Sequence, residues 1–251
     1  MGKKAYTATF TVSDYDVNMF GDLHLRRVLQ WMNQTMREQD RALDRPFSLD
    51  GNTWVYIEQD IKIHRWPKLG ESIRISTRPD FFNSMYGSRL FEIRDQKGEL
   101  IIENWGLYCL MDLETRSLQR IKREFVEQMK EDWGVPSDAR PLKRTKLPEW
   151  PKEAEERTIT AGFSTLDSNG HVNNTAYMDW LVDSMPFQTH KEWEMSQVTI
   201  QYLKEVLPDT RVTISHTPIE LHTESGEGEN YFRLMSEGNL HATIRVKWRR
   251  K

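Results

Sequence analysis

Cysteine is nearly absent: Cys109 is the single thiol in 251 residues. A lone thiol excludes an internal disulfide and a cysteine-built metal cluster. Long apolar runs are missing as well. No stretch approaches the roughly 18 residues of a membrane-spanning helix, and the opening "MGKKAYTATF" has none of the apolar core that marks a secretory leader. Neither sign of charge dominates. Against 38 acidic residues stand 35 lysines and arginines, for a net charge of −3, so the positive surplus of a nucleic-acid binder is lacking. Together these absences lead to the expectation of a cytoplasmic globular protein with no nucleic-acid and no membrane partner. The length accommodates one large domain or two of about half the size.

Some of the basic residues cluster in two runs. "RPLKRTK" (140–146) carries Arg140, Lys143, Arg144 and Lys146, and "RVKWRRK" (245–251) closes the chain. Such runs are most often solvated surface; the other reading is a dock for an acidic partner.

An internal repeat is the first positive signal. "TATFTVSDYDVN" and "RTITAGFSTLDSN" each read as an alternating strand that runs into Asp-x-Asn, with Asp16 and Asn18 answering to Asp167 and Asn169. An amphipathic helix is predicted after each. Leu25, Val28, Leu29, Met32 and Met36 form an apolar stripe in the first half, and Ala176, Tyr177, Trp180, Leu181 and Met185 form one in the second. Alternating strands follow both times, with a break at Trp66-Pro67 and again at Leu207-Pro208, then a hairpin around Lys97-Gly98 and around Glu237-Gly238. A lone helix among strands must bury its stripe on a sheet curved around it, which makes the fold class α+β. The units are expected over 1–133 and 157–251. The proline-rich stretch 134–156 is the linker, preceded by a short helix near 122–130.

The chemistry-bearing stretch is "LDSNGHVNNTAYMDW" (166–180), where an acid, an amide and an imidazole alternate just before a helix. A helix starting at Val172 or Asn173 presents unpaired N–H groups and the positive end of its dipole, suited to an oxyanion. Gly170 permits close approach of a substrate. His171 is the natural proton shuttle. Asn169 can polarise a water or orient the histidine through its amide, and it can close an Asx turn at the same time. For Asp167 the roles of base, orienter and nucleophile all stay open beside that of a helix-dipole partner. On strand alternation, Glu205 falls on the face opposite Val198, Ile200 and Tyr202, as a surface residue would, unless a bulge near Leu207-Pro208 turns it. The first half has no histidine in the corresponding place, so one active site is expected, in the second half. Met19, Phe20, Leu25, Leu29 and Met32 are then expected to shape the substrate channel.

"DSNGHVNN" (167–174), "QYLKEV" (201–206) and "HRWPKLGESIRIST" (64–77) resemble signature stretches of the plant and bacterial acyl-acyl carrier protein thioesterases, and the likeness covers nearly the whole chain. The resemblance implies a tandem (double) hotdog fold, each unit a long helix wrapped by a curved antiparallel sheet. It also implies hydrolysis of fatty acyl-acyl carrier protein to free fatty acid, which terminates fatty acid synthesis. Its catalytic residues carry over as Asp167, Asn169, His171 and Glu205. Where many plant members have cysteine after the glutamate, this chain has Val206, and Cys109 reads as a small buried hydrophobe. No metal or organic cofactor is implied. Acyl carrier protein is small and acidic, so its dock is expected at the linker cations or, second, at 247–251. An acyl-CoA thioesterase and a non-catalytic acyl-binding module are the alternatives. Two units in one chain can make internally the contact that single-unit relatives make by pairing, so the expected state is a monomer or a homodimer.

Overall fold

The computed structural model describes residues 5–42, 51–133, 135, 150, 154–222 and 226–251. The chain divides into two compact units, Met1–Arg144 and Thr145–Lys251.

In the first unit β1 (Tyr6–Thr11) leads through a single 3-10 turn to α1 (Leu25–Arg41). Then come β2 (Asn52–Ile63), β3 (Ser72–Phe82), β4 (Gly87–Arg94), β5 (Leu100–Asp112), a short β6 (Leu118–Gln119) and α2 (Arg123–Trp133). All pairings are antiparallel, in the order β1-β3-β4-β5-β2, with β6 against the end of β5. The predicted stripe of α1 is buried at Leu25, Val28, Leu29 and Met32, while Met36 is half-buried. Opposite it lie Ile61, Ile63, Ile73, Ile75, Phe91 and Ile93, which alternation along β2, β3 and β4 sends to one face. Side chains of this kind contribute about 1.5–3 kcal/mol each when fully buried. The helix α2 sets Phe125, Val126 and Met129 on a cluster of Trp54, Tyr56, Phe82 and Tyr108. Gly106 is required under this cluster, because a Cβ there would meet the Tyr56 ring at 2.5 Å.

In the second unit β7 (Glu155–Thr160) is followed by α3 (Ala176–Ser184), α4 (Phe187–Glu192), β8 (Trp193–Tyr202), β9 (Arg211–His216), β10 (Glu220–His222), β11 (Glu227–Ser236) and β12 (Asn239–Arg250). The order β7-β9-β11-β12-β8, again antiparallel, repeats that of the first unit strand for strand. Each unit is a helix laid on an antiparallel sheet, the hotdog architecture, and the chain is a tandem of two. The helices differ. Against 17 residues in α1, α3 has nine, because Pro186 follows directly on Met185, its last capping residue, and cannot continue the helical bonding. The expectation of a long helix in this half is corrected accordingly. The predicted positions Ala176, Tyr177, Trp180 and Leu181 are nevertheless buried, and so is Met178, which the stripe did not include.

Candidate active site

The loop before α3 is a closed reversal. Leu166 and Val172 bridge across it, the Asp167 N–H donates to the His171 carbonyl at 2.8 Å, and the Gly170 N–H donates to the Asp167 carbonyl at 3.1 Å. Gly170 sits at φ 78°, in the left-handed region that glycine enters without penalty. The Asp167 carboxylate accepts the Asn169 N–H at 2.8 Å, an Asx turn. Asn169 is thereby set on the exposed outer side of the loop, while His171, two residues on, turns inward and is only 7% exposed.

The helix begins at Ala176, later than the sequence pattern placed it. Asn173 is the cause. Its side-chain oxygen accepts both the N–H and the hydroxyl of Thr175, at 2.9 and 2.7 Å, which holds one more turn outside the helix. The main-chain amides expected to hold an oxyanion are also engaged. Val172 donates to the Val206 carbonyl at 3.0 Å and Asn173 to the Thr165 carbonyl at 2.8 Å. They tie the loop to its neighbours instead.

Glu205 reaches the site by a route that alternation misses. The strand β8 ends at Tyr202, and the N–H groups of Leu203 and Lys204 both turn to the carbonyl of His241, at 2.8 and 3.2 Å. Past that bend the two-residue period no longer governs direction. The bend falls four residues before the expected Leu207-Pro208 position. The Glu205 carboxylate lies 3.1 Å from His171 Nε2. A carboxylate only accepts, so Nε2 carries the proton in the neutral ring and Nδ1 holds the lone pair.

Tyr177 completes the surroundings. The sequence pattern marks it only as part of an apolar stripe, yet its hydroxyl meets the Val206 N–H, and its acidity is suppressed by burial first and by the Glu205 charge second. It remains a neutral phenol. Its ring stacks on Tyr202 with centroids 5.7 Å apart. A hydroxyl on an otherwise apolar stripe was the available signal, since a buried tyrosine needs a polar partner. Val206 is fully buried, and Cys109 is buried in β5 of the first unit. The structure thus brings His171 and Glu205 into contact. Asp167 and Asn169 share the loop, with the acid engaged in its turn.

The hydrogen bonds also correct the register of the repeat. In the first unit Asn18 donates to the Asp22 carbonyl, Gly21 donates to the Asn18 carbonyl, and Leu23 donates to the Pro67 carbonyl. The Asn18 side chain accepts the Phe20 N–H. These bonds match those of Asp167, Gly170, Val172 and Asn169 one for one. Asn18 therefore answers to Asp167, not Asp16, which answers to Thr165. Asp22 stands in the place of His171, and Trp66 in the place of Glu205. Asp22 is paired with Lys68 at 2.5 Å. Met19, expected near an acyl channel, is 70% exposed.

The expected docking cations Arg140, Lys143, Arg144 and Lys146 lie outside the described residues. The other run is the end of β12, where Arg249 pairs with Glu194 at 2.6 Å, Arg250 lies over the Trp193 ring and Lys251 bonds the His190 carbonyl. Among the described residues no group of three or more His, Cys, Asp or Glu side chains is placed to hold a metal ion.

The sequence matches the acyl-ACP thioesterase N-terminal domain over residues 3–129 and the acyl-ACP thioesterase C-terminal domain over residues 149–250. The chain belongs to the acyl-ACP thioesterase family. A chloroplastic acyl-acyl-carrier-protein hydrolase of Cuphea viscosissima is 24% identical over 263 residues, covering 98% of this chain and 63% of that protein. A palmitoyl-acyl carrier protein thioesterase of Gossypium hirsutum is 25% identical over 210 residues, covering 79% of this chain and 50% of that one. The chain thus spans less than two thirds of the length of these relatives. Among solved structures, a 12:0-ACP thioesterase from Umbellularia californica superposes with a TM-score of 0.84 at 22% identity, covering 98% of this chain and 94% of that one. An acyl-ACP thioesterase from Bacteroides thetaiotaomicron gives 0.79 at 18% identity, covering 97% of each. Both likenesses are of fold.

Proposed function

We propose that this acyl-ACP thioesterase family member hydrolyses fatty acyl-acyl carrier protein to free fatty acid and carrier protein, ending fatty acid synthesis in the cytoplasm. The observation that carries the reading is the contact of buried His171 with half-buried Glu205 beside the Asp167–Asn169 turn. The imidazole Nδ1 takes a proton from a water as its oxygen attacks the thioester carbonyl carbon. Glu205, accepting at Nε2, stabilises the imidazolium that forms. As the carbon–sulfur bond breaks, that proton passes to the leaving thiolate, so carboxylic acid and thiol result. The exposed Asn169 carboxamide offers the carbonyl oxygen a donor in place of the two engaged amides. Asp167 holds the turn that presents Asn169, an orienting role. Acyl carrier protein, being acidic, is the partner, docked on the linker cations.

The test is side-by-side turnover of carrier-bound and CoA-bound acyl chains by the wild-type chain, with His171→Ala as control. Faster release from the carrier supports the proposal. Preference for CoA replaces it with the acyl-CoA reading, and no hydrolysis of either leaves an acyl-binding module. Charge reversal at Arg140, Lys143, Arg144 and Lys146 is expected to raise KM for the carrier-bound substrate alone.

A further inference from the structure

A second buried histidine stands behind the first. The strand pair β11–β12 loses register between Leu234 and Met235: Leu234 faces Ala242, but Met235 faces Leu240. His241 is therefore the extra residue of a β-bulge, a device that re-aims a side chain. It is 4% exposed. Its Nδ1 lies 3.2 Å from the Lys204 carbonyl and its Nε2 lies 2.5 Å from the Ser236 hydroxyl. A carbonyl can only accept, so Nδ1 bears the proton and Nε2 accepts from Ser236, which fixes the ring. The main chain of the same residue receives the Leu203 and Lys204 N–H groups. His241 thus grips the bend on both sides, one residue before Glu205. Lys204 Nζ adds a bond to Asn239 at the hairpin tip, 2.8 Å.

The first unit provides the internal control. There the bulge recurs between Ile93 and Arg94, with Ile101 as the extra residue, and His64 and Arg65 donate to the Ile101 carbonyl. The side chain in the place of His241 is a fully buried isoleucine, and the residue in the place of Glu205 is Trp66. The bend forms in both units, so the fold does not require imidazole at this point. Histidine stands where a carboxylate has to be aimed.

We propose that His241, oriented by Ser236, is a positioning residue that holds the Lys204 carbonyl so that Glu205 meets His171. The proposal rests on the reading of His171 and Glu205 as the working pair. His241→Ile, which installs the residue the first unit tolerates, is expected to fold with an unchanged melting profile. It is expected to lower kcat about 10- to 100-fold with KM within about twofold, the loss typical of a reacting group displaced by about an ångström. His241→Asn keeps a donor near the Nδ1 position and is expected to recover much of the rate. In a Glu205→Gln background, His241→Ile is expected to cost little more, because the group it aims is already gone. All are assayed on whichever thioester the wild-type chain turns over fastest. If Glu205→Gln is slow while His241→Ile runs at the wild-type rate, or if the two losses multiply, the positioning role is overturned and the site reading survives. If Glu205→Gln runs at the wild-type rate, or no thioester is turned over, both are overturned.

Discussion

Two loops that share a set of hydrogen bonds carry different side chains in the two units. Residues 18–23 and 167–172 share a left-handed glycine, at φ 75° and 78°, an Asx turn and a bond to the segment beyond the long strand. At the inward-turning position one loop carries Asp22 and the other His171. The segment facing them offers Lys68 to the first and Glu205 to the second. An aspartate–lysine pair closes a loop; a histidine–glutamate pair leaves an imidazole able to take and return a proton. On the proposed function, the scaffold supplies the placement, and two side chains make the place structural in one unit and reactive in the other.

The largest effect expected from breaking this difference comes at the pair itself. His171→Asp, which copies the first unit, and Glu205→Gln should each lower kcat/KM by about 10²–10⁴, the usual contribution of a positioned acid–base group. Asp22→Ala, at the matching place in the first unit, should change stability and leave kcat within about twofold. Equal kinetic losses in both units would erase the distinction between them.

A smaller effect separates the open roles of Asp167. Asparagine already performs its turn-forming duty at position 18, accepting the Phe20 N–H at 2.9 Å. Asp167→Asn should therefore keep the loop, and as an orienter it should cost less than about tenfold in kcat. A loss as large as that of His171→Asp would make Asp167 the base or the nucleophile.

Smaller again is the glycine comparison. A Cβ on Gly21 or Gly170 meets nothing within 4 Å, so alanine there costs only the left-handed backbone, about 1–2 kcal/mol. Denaturant midpoints should fall alike for Gly21→Ala and Gly170→Ala. Only the second should also slow turnover.

The architecture was legible because burial has a period. The stripe of α1, the alternating strands and the two hairpin turns all leave their spacing in the sequence. The site was legible in part. Asp-x-Asn occurs at Asp16 and again at Asp167, and that visual match set the repeat out of register by two. Aligning Gly21 with Gly170 restores it, because the positive φ is the fixed point of the turn while asparagine and aspartate exchange freely around it. The late start of α3 was hidden because Asn173 caps by a local side-chain bond, which competes with the helix without altering the apolar pattern. Glu205 and His241 were misplaced or missed for one reason: both lie where a bend or a bulge suspends the strand period, and nothing apolar marks such a place.

The smallest expected effect runs on pH. Burial opposes ionisation of Asp16, but the Ser13 N–H and hydroxyl and the Arg27 guanidinium outweigh it and hold the carboxyl below its usual range. A depressed carboxyl adds stability that is fully present above its unfolded value, about 3.9, and is lost as pH falls through the folded value. The counterpart in the second unit is Thr165, which has no carboxyl to protonate. Acidification below about pH 4 should therefore lower amide protection at His24, bonded to the Asp16 carbonyl, more than at Asn173, bonded to the Thr165 carbonyl. Asp16→Asn should make the two amides respond to acid alike. Equal loss of protection in the wild-type chain would mean that the two loops are held by their shared backbone bonds alone, and that the Asp16 cluster adds nothing to the first.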